Sequence, residues 1–271
     1  LEAHLELKRL LCNLPGIGNA MARGALLPAF DVHCSLMSLP HRLNTRLETI
    51  PADVPYLSAP AEMVTVWDER MHHDRNLRVG LVWSSNVLNK AIHASKSVPL
   101  QNLCVLGECA GVSFYSLQKG EGCKEIAACS MSLIDWSDDL KDFCDTAALI
   151  ANLDLVISVD TAVAHLAGAL GKPVWMLLWY GGDWRWLQAR NDSPWYPTMR
   201  LFRQEQIGDW TAPIIRLREA LDQAAREFAE SGRFINLPPV PAQAVRTPNA
   251  TVEAVAEAAK NKGNAAYSNG D

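Results

Sequence analysis

The sequence predicts an α/β fold built on a doubly wound parallel sheet, on three observations. Residues 154–178, DLVISVDTAVAHLAGALGKPVWMLL, read as strand, turn, helix, turn and strand, which is the βαβ unit of a parallel sheet. Upstream, the short apolar runs RVGLVW (78–83) and VSFYSL (112–117) are separated by helix-forming or turn-rich stretches, so strands alternate with helices. Hydrophobic residues make up 49% and charged residues 20% of 271 positions, enough to bury a substantial core; by length alone the chain holds about two domains.

Taken in order, Leu1–Leu11 is helix or strand, because its apolar spacing suits either period, and Asn13-Leu14-Pro15-Gly16 is a turn. Phe30–Cys34 reads as a short strand and His41–Thr49 as a short helix, and the prolines of Ile50–Pro60 favour extended chain. A helix follows over Glu62–Met71. Arg78–Trp83 is a strand, and the stretch from it to Ser97, carrying Lys90, His93 and Lys96, is either a basic lid or an exposed connection. Leu100–Cys109 reads as a helix, Val112–Leu117 as a strand, Gly122–Ser130 has no clear assignment, and Leu133–Trp136 carries another strand. Asp142–Thr146 opens a helix that feeds the central unit. After it, residues 179–197 carry too many turn formers and aromatics for a regular element and read as a structured loop, followed by a strand at Met199–Arg203 and a helix from Asp209 to Ala229.

The central unit also carries the candidate chemistry. Leu155–Val159 is short, apolar and β-branched, as a buried parallel strand requires. Asp160-Thr161 offers an N-cap, Ala162–Leu170 forms a helix and Gly171 stops it. Ligands of open α/β sheets bind beyond the carboxyl ends of the strands, and a helix N-terminus there attracts anions. Asp160, Thr161 and, one turn on, His165 fall at that edge, so a diphosphate is a natural guest; the bland alternative is a plain cap and a packing histidine. Ser84, Ser85 and Asn86 follow an earlier strand and either donate to phosphate or form a turn.

Whole-chain properties narrow the function. A net charge of −5 gives no general attraction to nucleic acid or anionic membrane. No apolar run is long enough to span a bilayer and no signal peptide opens the chain. Seven cysteines, an odd count without a CxxC pair, point to free thiols in a reducing, cytoplasmic setting rather than to disulfides or zinc. His72-His73-Asp74 lacks metal-ligand spacing. Five of nine tryptophans fall between Trp175 and Trp195, either as core or as a stacking surface.

RVGLVWSSN, SKSVPL, GVSFYSLQKG, DFCDTAALIANLDLVISVDTAVAHLAGALGKPVWMLL, DWRWLQARNDSPWYPTMRLFRQ and GDW resemble, in order and spacing, the donor-binding half of GT-B glycosyltransferases. The nearest group is the bacterial tetratricopeptide-repeat proteins with a domain similar to the ADP-heptose:lipopolysaccharide heptosyltransferases, glycosyltransferase family nine. The resemblance covers about Leu26 to Trp210. It implies two Rossmann-like domains facing a cleft, with a nucleotide-diphosphate sugar on the C-terminal one and inverting transfer to a protein or glycan acceptor. Carried over by position, Ser84, Ser85 and Asn86 match the phosphate-side loop and Lys96 the basic residue that neutralises the diphosphate. Gln118 and Lys119 end a strand near the nucleotide. Asp160, Thr161, Ala162 and His165 match DTxxxH, with Ala162 where some relatives have Gly. No cofactor and no metal are implied, since a helix N-terminus and Lys96 supply the positive charge.

By this resemblance 1–60 is part of an acceptor-side domain, 61–76 an interdomain helix and linker, 77–206 the nucleotide-sugar domain, and 207–231 a C-terminal helix. Residues 232–251 form a linker and 252–271 the start of a tetratricopeptide repeat, whose continuation outside this chain would supply a protein or peptide partner. The chain begins with Leu1 and has no counterpart of the family's Gly-rich opening, so it reads as truncated, with no assigned catalytic base; Asp31 and His33 are unsupported substitutes. The competing expectation is therefore a catalytically incomplete nucleotide-sugar-binding or repeat-associated module.

Overall fold

The computed structural model describes residues 1–12, 14–85, 90–188 and 190–234. Asn86, nearly all of the expected linker and the expected repeat at 252–271 lie outside the described residues. The chain opens with β1 (Glu2–Ala3), α1 (Leu5–Leu11) and β2 (Met21–Ala22), and the two short strands pair in parallel. After α2 (Leu39–Arg42) and α3 (Ala61–Met71) comes β3 (Leu77–Val82), the first strand of the main sheet. Then follow α4 (Lys90–Lys96), α5 (Leu100–Leu103), β4 (Val112–Ser116), β5 (Leu133–Asp135), α6 (Phe143–Ala151), β6 (Leu155–Val159), α7 (Ala162–Ala169), β7 (Val174–Leu178), β8 (Met199–Arg203) and α8 (Thr211–Ser231).

The main sheet has six strands, all parallel, in the order β5-β4-β3-β6-β7-β8. Chain direction across the sheet reverses between β3 and β6, the switch point at which doubly wound sheets open a crevice. Every residue of β6 and β7 is buried, which is why both strands are written as continuous apolar runs. Side chains alternate between two apolar layers. Leu155, Ile157 and Val159 join Leu100, Leu103, Leu217 and Leu221 on the face covered by α5 and α8. Val156, Val174 and Met176 join Trp67, Met71, Leu149 and Ile150 on the face covered by α3, α6 and α7.

The amino-terminal segment docks on this second layer. Leu10 of α1 is only 2% exposed, and Arg9 pairs with Asp142 (2.7 Å) and Asp145 (3.3 Å) at the start of α6. Asp142 and Asp145 form a reciprocal capping box for that helix.

Several local expectations are replaced. Phe30–Cys34 forms no strand: Phe30 is 59% and Val32 85% exposed, and an apolar run without a partner has no ladder to stabilise it. The stretch before Ser97 contains α4, whose exit is tied back to the sheet by Val98 N–H donating to the Trp83 carbonyl (2.9 Å). The helix read over Leu100–Cys109 tightens after Leu103 into a 3₁₀ turn, Cys104–Glu108; a Cβ on Gly107 would lie 2.8 Å from the Met131 side chain. The unassigned stretch is a 3₁₀ run, Gly120–Ala128.

Burial works against ionising Asp142, but the Arg9 guanidinium and the N–H of Cys144 outweigh it and hold the carboxyl below its ordinary value. A depressed native pKa means that this stabilisation is complete above about pH 4 and is lost as pH falls through the native value. Asp142→Ala should cost about 0.5–2 kcal/mol through the lost cap, with the difference from the parent shrinking on acidification. Urea unfolding at pH 7 and pH 3 checks this; a difference that does not shrink removes Asp142 ionisation as the cause.

Candidate functional site

The carboxyl ends of β3 and β6 lie side by side at the switch point, and each runs directly into a polar segment. Beyond β6, Asp160 is buried at 8% exposure. Its Oδ2 accepts a hydrogen bond from Lys96 Nζ at 2.7 Å, so the last residue of α4 is clamped to the end of β6. The Lys96 and Asp160 side chains are 20% and 6% exposed. At such burial a lysine is held by its partner and neither charge is freely hydrated.

Asp160 is therefore not the cap of α7. Thr161 occupies the N-cap position with extended backbone, φ −139° and ψ 169°, yet it makes no side-chain cap. Its hydroxyl lies 3.1 Å from Ser158 Oγ instead. The N–H groups of Ala162 and Val163 have no carbonyl one turn behind them, and Ala162 is exposed. The helix thus presents its first donors and its positive end beside the Lys96 ammonium, an arrangement suited to an anion.

His165 lies one turn into α7. Its Nε2 is 4.0 Å from Asp160 Oδ1 and its Nδ1 is 3.0 Å from the Tyr196 hydroxyl. The ring stacks on Trp186 at 5.1 Å and meets Tyr196 edge-on at 5.7 Å. Burial pushes the His165 pKa down; Asp160 pulls the other way, and nearby Arg185 adds to the depression. The imidazole is neutral at pH 7. Tyr196 can approach because residue 168, one turn further along α7, is Gly: a Cβ there would lie 2.6 Å from the tyrosine ring.

The β3 side is built differently. Ser84 is 6% exposed, and Gln118 at 4% forms a clasp across the strand ends. Gln118 Oε1 accepts from the N–H groups of Trp83 (3.2 Å) and Ser84 (2.9 Å), while Nε2 donates to the carbonyls of Ser84 (3.1 Å) and Lys119 (2.9 Å). All four bonding positions of the amide are used internally. Gly122 packs against this clasp, with a Cβ there falling 2.9 Å from both Gln118 Cδ and Ser84 Cβ. Ser85 bonds to α4: its N–H donates to Ser97 Oγ (3.0 Å), and its carbonyl lies 3.0 Å from His93 Nδ1. Lys119 turns to the Ser137 carbonyl at 2.6 Å, toward the β5 side.

Of the residues singled out from sequence, Lys96, Asp160 and His165 are brought together, with Thr161 and Ala162 at the same helix start. Ser85 is tied to His93 of α4 and to Ser97 just after it, and Gln118 braces Ser84. Asn86 lies outside the described residues. Tyr196, Trp186, Arg185 and Gly168 were not singled out; only the aromatic density of residues 175–195 signalled that part of the site. The loop bearing Trp186 is held by Arg203 of β8, whose guanidinium donates to the carbonyls of Arg190 (2.8 Å) and Trp186. Trp175 and Trp186 are fully buried, Trp179 and Trp195 are half-buried against the core, and Trp184 is 52% exposed, so the cluster runs from core to surface. Among the described residues no group of three or more His, Cys, Asp or Glu is placed to hold a metal, and no helix is long and apolar enough to cross a membrane.

Residues 141–181, which span α6 to β7 and include Asp160, Thr161, Ala162 and His165, match the family model of Glycosyltransferase family 9 (heptosyltransferase). The chain is 33% identical over 210 residues to Protein FlbA of Caulobacter vibrioides (strain ATCC 19089 / CIP 103742 / CB 15), covering 74% of this chain and 34% of that protein. It thus spans about a third of the length of this curated relative. Among solved structures, the ADP-heptose lps heptosyltransferase II of E. coli is similar at 15% identity, with a TM-score of 0.46, over 65% of this chain and 56% of that one.

The depressed His165 pKa has a sign that can be read. Folding favours the neutral ring, so stability is complete above the ordinary value of about 6.5 and falls as pH drops through the native value. An NMR titration of the His165 ring should give a midpoint below 6.5, absent in His165→Gln. A midpoint at or above 6.5 would mean that Asp160 outweighs burial.

Proposed function

We propose that this chain binds a nucleotide-diphosphate sugar at the carboxyl edge of β3 and β6 and forms the donor-binding half of a glycosyltransferase. The observation that carries the reading is the Lys96–Asp160 pair set beside the uncapped start of α7. It puts a fixed ammonium and free backbone donors at the switch point, where a diphosphate needs both. The match of residues 141–181 to the heptosyltransferase family model supports the same reading, because those residues include four of the expected site positions.

In this proposal the diphosphate takes hydrogen bonds from Lys96 Nζ and from the N–H groups of Ala162 and Val163. As the sugar leaves, charge grows on the departing nucleoside diphosphate, and these donors stabilise it without requiring a metal ion. Asp160 fixes the direction of Lys96, and neutral His165, oriented by Tyr196 and Trp186, offers a hydrogen-bonding face toward the sugar side. The transfer inverts the anomeric centre, and the acceptor is a protein or a glycan. Tetratricopeptide repeats outside this chain would supply a protein or peptide partner.

One observation favours a second reading, a binding module without turnover. The Asp160 carboxylate is engaged by Lys96, and Asp31 and His33 are exposed. Neither of the latter makes a hydrogen bond or ion pair with Lys96, Asp160 or His165 among the described residues, so neither is placed there as the general base for an acceptor.

Calorimetric titration with nucleoside diphosphates and their sugars, first without metal and then with magnesium, tests the proposal. Saturable binding is expected without metal. Lys96→Ala should weaken it by about tenfold or more, the value of a charge-assisted hydrogen bond. That variant also strands the buried Asp160 carboxylate and should lower stability. Adding Asp160→Asn should recover stability but not affinity. Recovery of both would make the pair purely structural, and absence of binding by the folded parent chain would overturn both readings. Release of free sugar or transfer to an acceptor by the parent chain separates the enzyme from the binding module.

A further inference from the structure

Apart from the switch-point site, two cysteines on separate elements bring their sulfur atoms together. Cys104 opens the 3₁₀ turn after α5, and Cys129 follows the 3₁₀ run Gly120–Ala128. Their Sγ atoms are 2.8 Å apart, in direct contact though longer than the covalent S–S length of about 2.05 Å, so a small shift would bring them to bonding distance. Both residues are half-buried rather than sealed in the core, unlike Cys109 and Cys144. The elements that carry them are already tied: Glu125 Oε2 accepts from the N–H of Leu100 at 2.8 Å. The same 3₁₀ run presents Gly122 to Ser84 and Gln118. The pair therefore sits at the far end of the segment that braces the β3 side of the site.

We propose that Cys104 and Cys129 are a reversible dithiol–disulfide pair, whose oxidation staples the Gly120–Ala128 segment to the turn after α5. The co-reactant is a small-molecule disulfide. The Cys104 thiolate attacks it and forms a mixed disulfide, releasing one small thiolate. The Cys129 thiolate then attacks the Cys104 sulfur and displaces the second. Two protein thiols are oxidised, one small disulfide is reduced to two thiols, and the two protons pass to the departing thiolates.

The surroundings give the two sulfurs different parts. Burial raises the Cys104 pKa, but hydrogen bonds from Cys129 and Ser130 and from the backbone N–H of Met131 bring it below its ordinary value. Cys129 is pushed up by burial and by its neighbour. Cys104 is thus the first nucleophile and Cys129 the resolving thiol. Cys123 lies on the same run, but its Sγ is directed to the Gln118 carbonyl at 3.2 Å and its pKa is raised by burial, so it takes no part.

The experiment equilibrates the folded chain with reduced and oxidised glutathione at fixed ratios, quenches with an alkylating agent and maps the peptides by mass spectrometry. The expected product is a Cys104–Cys129 cross-linked peptide, about 2 mass units below the sum of the two free-thiol peptides because two hydrogens are lost. It should form in the parent and in Cys123→Ser and be absent in Cys104→Ser and Cys129→Ser. Cys129→Ser should instead accumulate the glutathione adduct on Cys104. The oxidised parent should melt several degrees higher than the reduced parent, a gain absent from both single variants. Oxidation that yields only glutathione adducts, pairs other cysteines, or leaves the melting temperature unchanged overturns the proposal.

Discussion

The parallel pairing of β3 with β6 is the constraint on which the rest depends. These strands are neighbours in space although β4, β5 and α6 lie between them in sequence, and their pairing is where the sheet reverses its winding. The α4–α5 connection leaves β3 toward one side, while α7 leaves β6 on the opposite layer. A crevice remains between their starting points, and no side chain on the sheet itself has to create it. Lys96 and Asp160, 64 positions apart, meet at 2.7 Å because the two strand ends meet.

The walls of that crevice are rigid for two different reasons. On the β3 side a buried amide, Gln118, spends every hydrogen bond on backbone groups, and Gly122 closes the space behind it. A polar network satisfied in this way specifies one arrangement and leaves nothing to spare for a ligand. On the β6 side rigidity comes from packing: α7 is nearly all Ala, Leu and Gly on its inner face, which draws it close to the sheet and lets Tyr196 settle on Gly168. Ligand-facing donors are concentrated at the start of α7 and on Lys96, both held from behind.

The amino-terminal segment contributes at a distance. Arg9 and Leu10 dock α1 onto α6, and the N–H groups of Tyr56 and Leu57 both donate to the Ala169 carbonyl at the end of α7 (3.0 and 3.2 Å). Burial and the neighbouring Tyr56 push the Tyr196 phenol pKa upward, so it stays protonated beside His165. The long aromatic loop reaches the same place from the other edge, carried by Arg203, whose pKa is pushed down to about 10 by burial and by the neighbouring Arg190 charge. His165 is thus oriented by residues from three separated parts of the chain.

What the amino-acid sequence determined by itself was local and periodic. The apolar runs of β3, β4, β6 and β7, the helix former between Asp160 and Gly171, and the parallel βαβ order are written in adjacent residues, because a strand buried on both faces must be apolar throughout and a short helix needs only its own residues. The carboxyl-end rule placed Asp160, Thr161 and His165 at one edge, while Lys96 was assigned there only by the family resemblance. Only the tertiary structure decided that Asp160 clamps Lys96 instead of capping α7, that Gln118 is a brace, that Phe30–Cys34 remains strandless, and that Tyr196, Trp186 and Gly168 orient His165. Those outcomes depend on which of several partners a side chain finds after folding, and side chains with equal local propensity are told apart only by the distances that the sheet imposes.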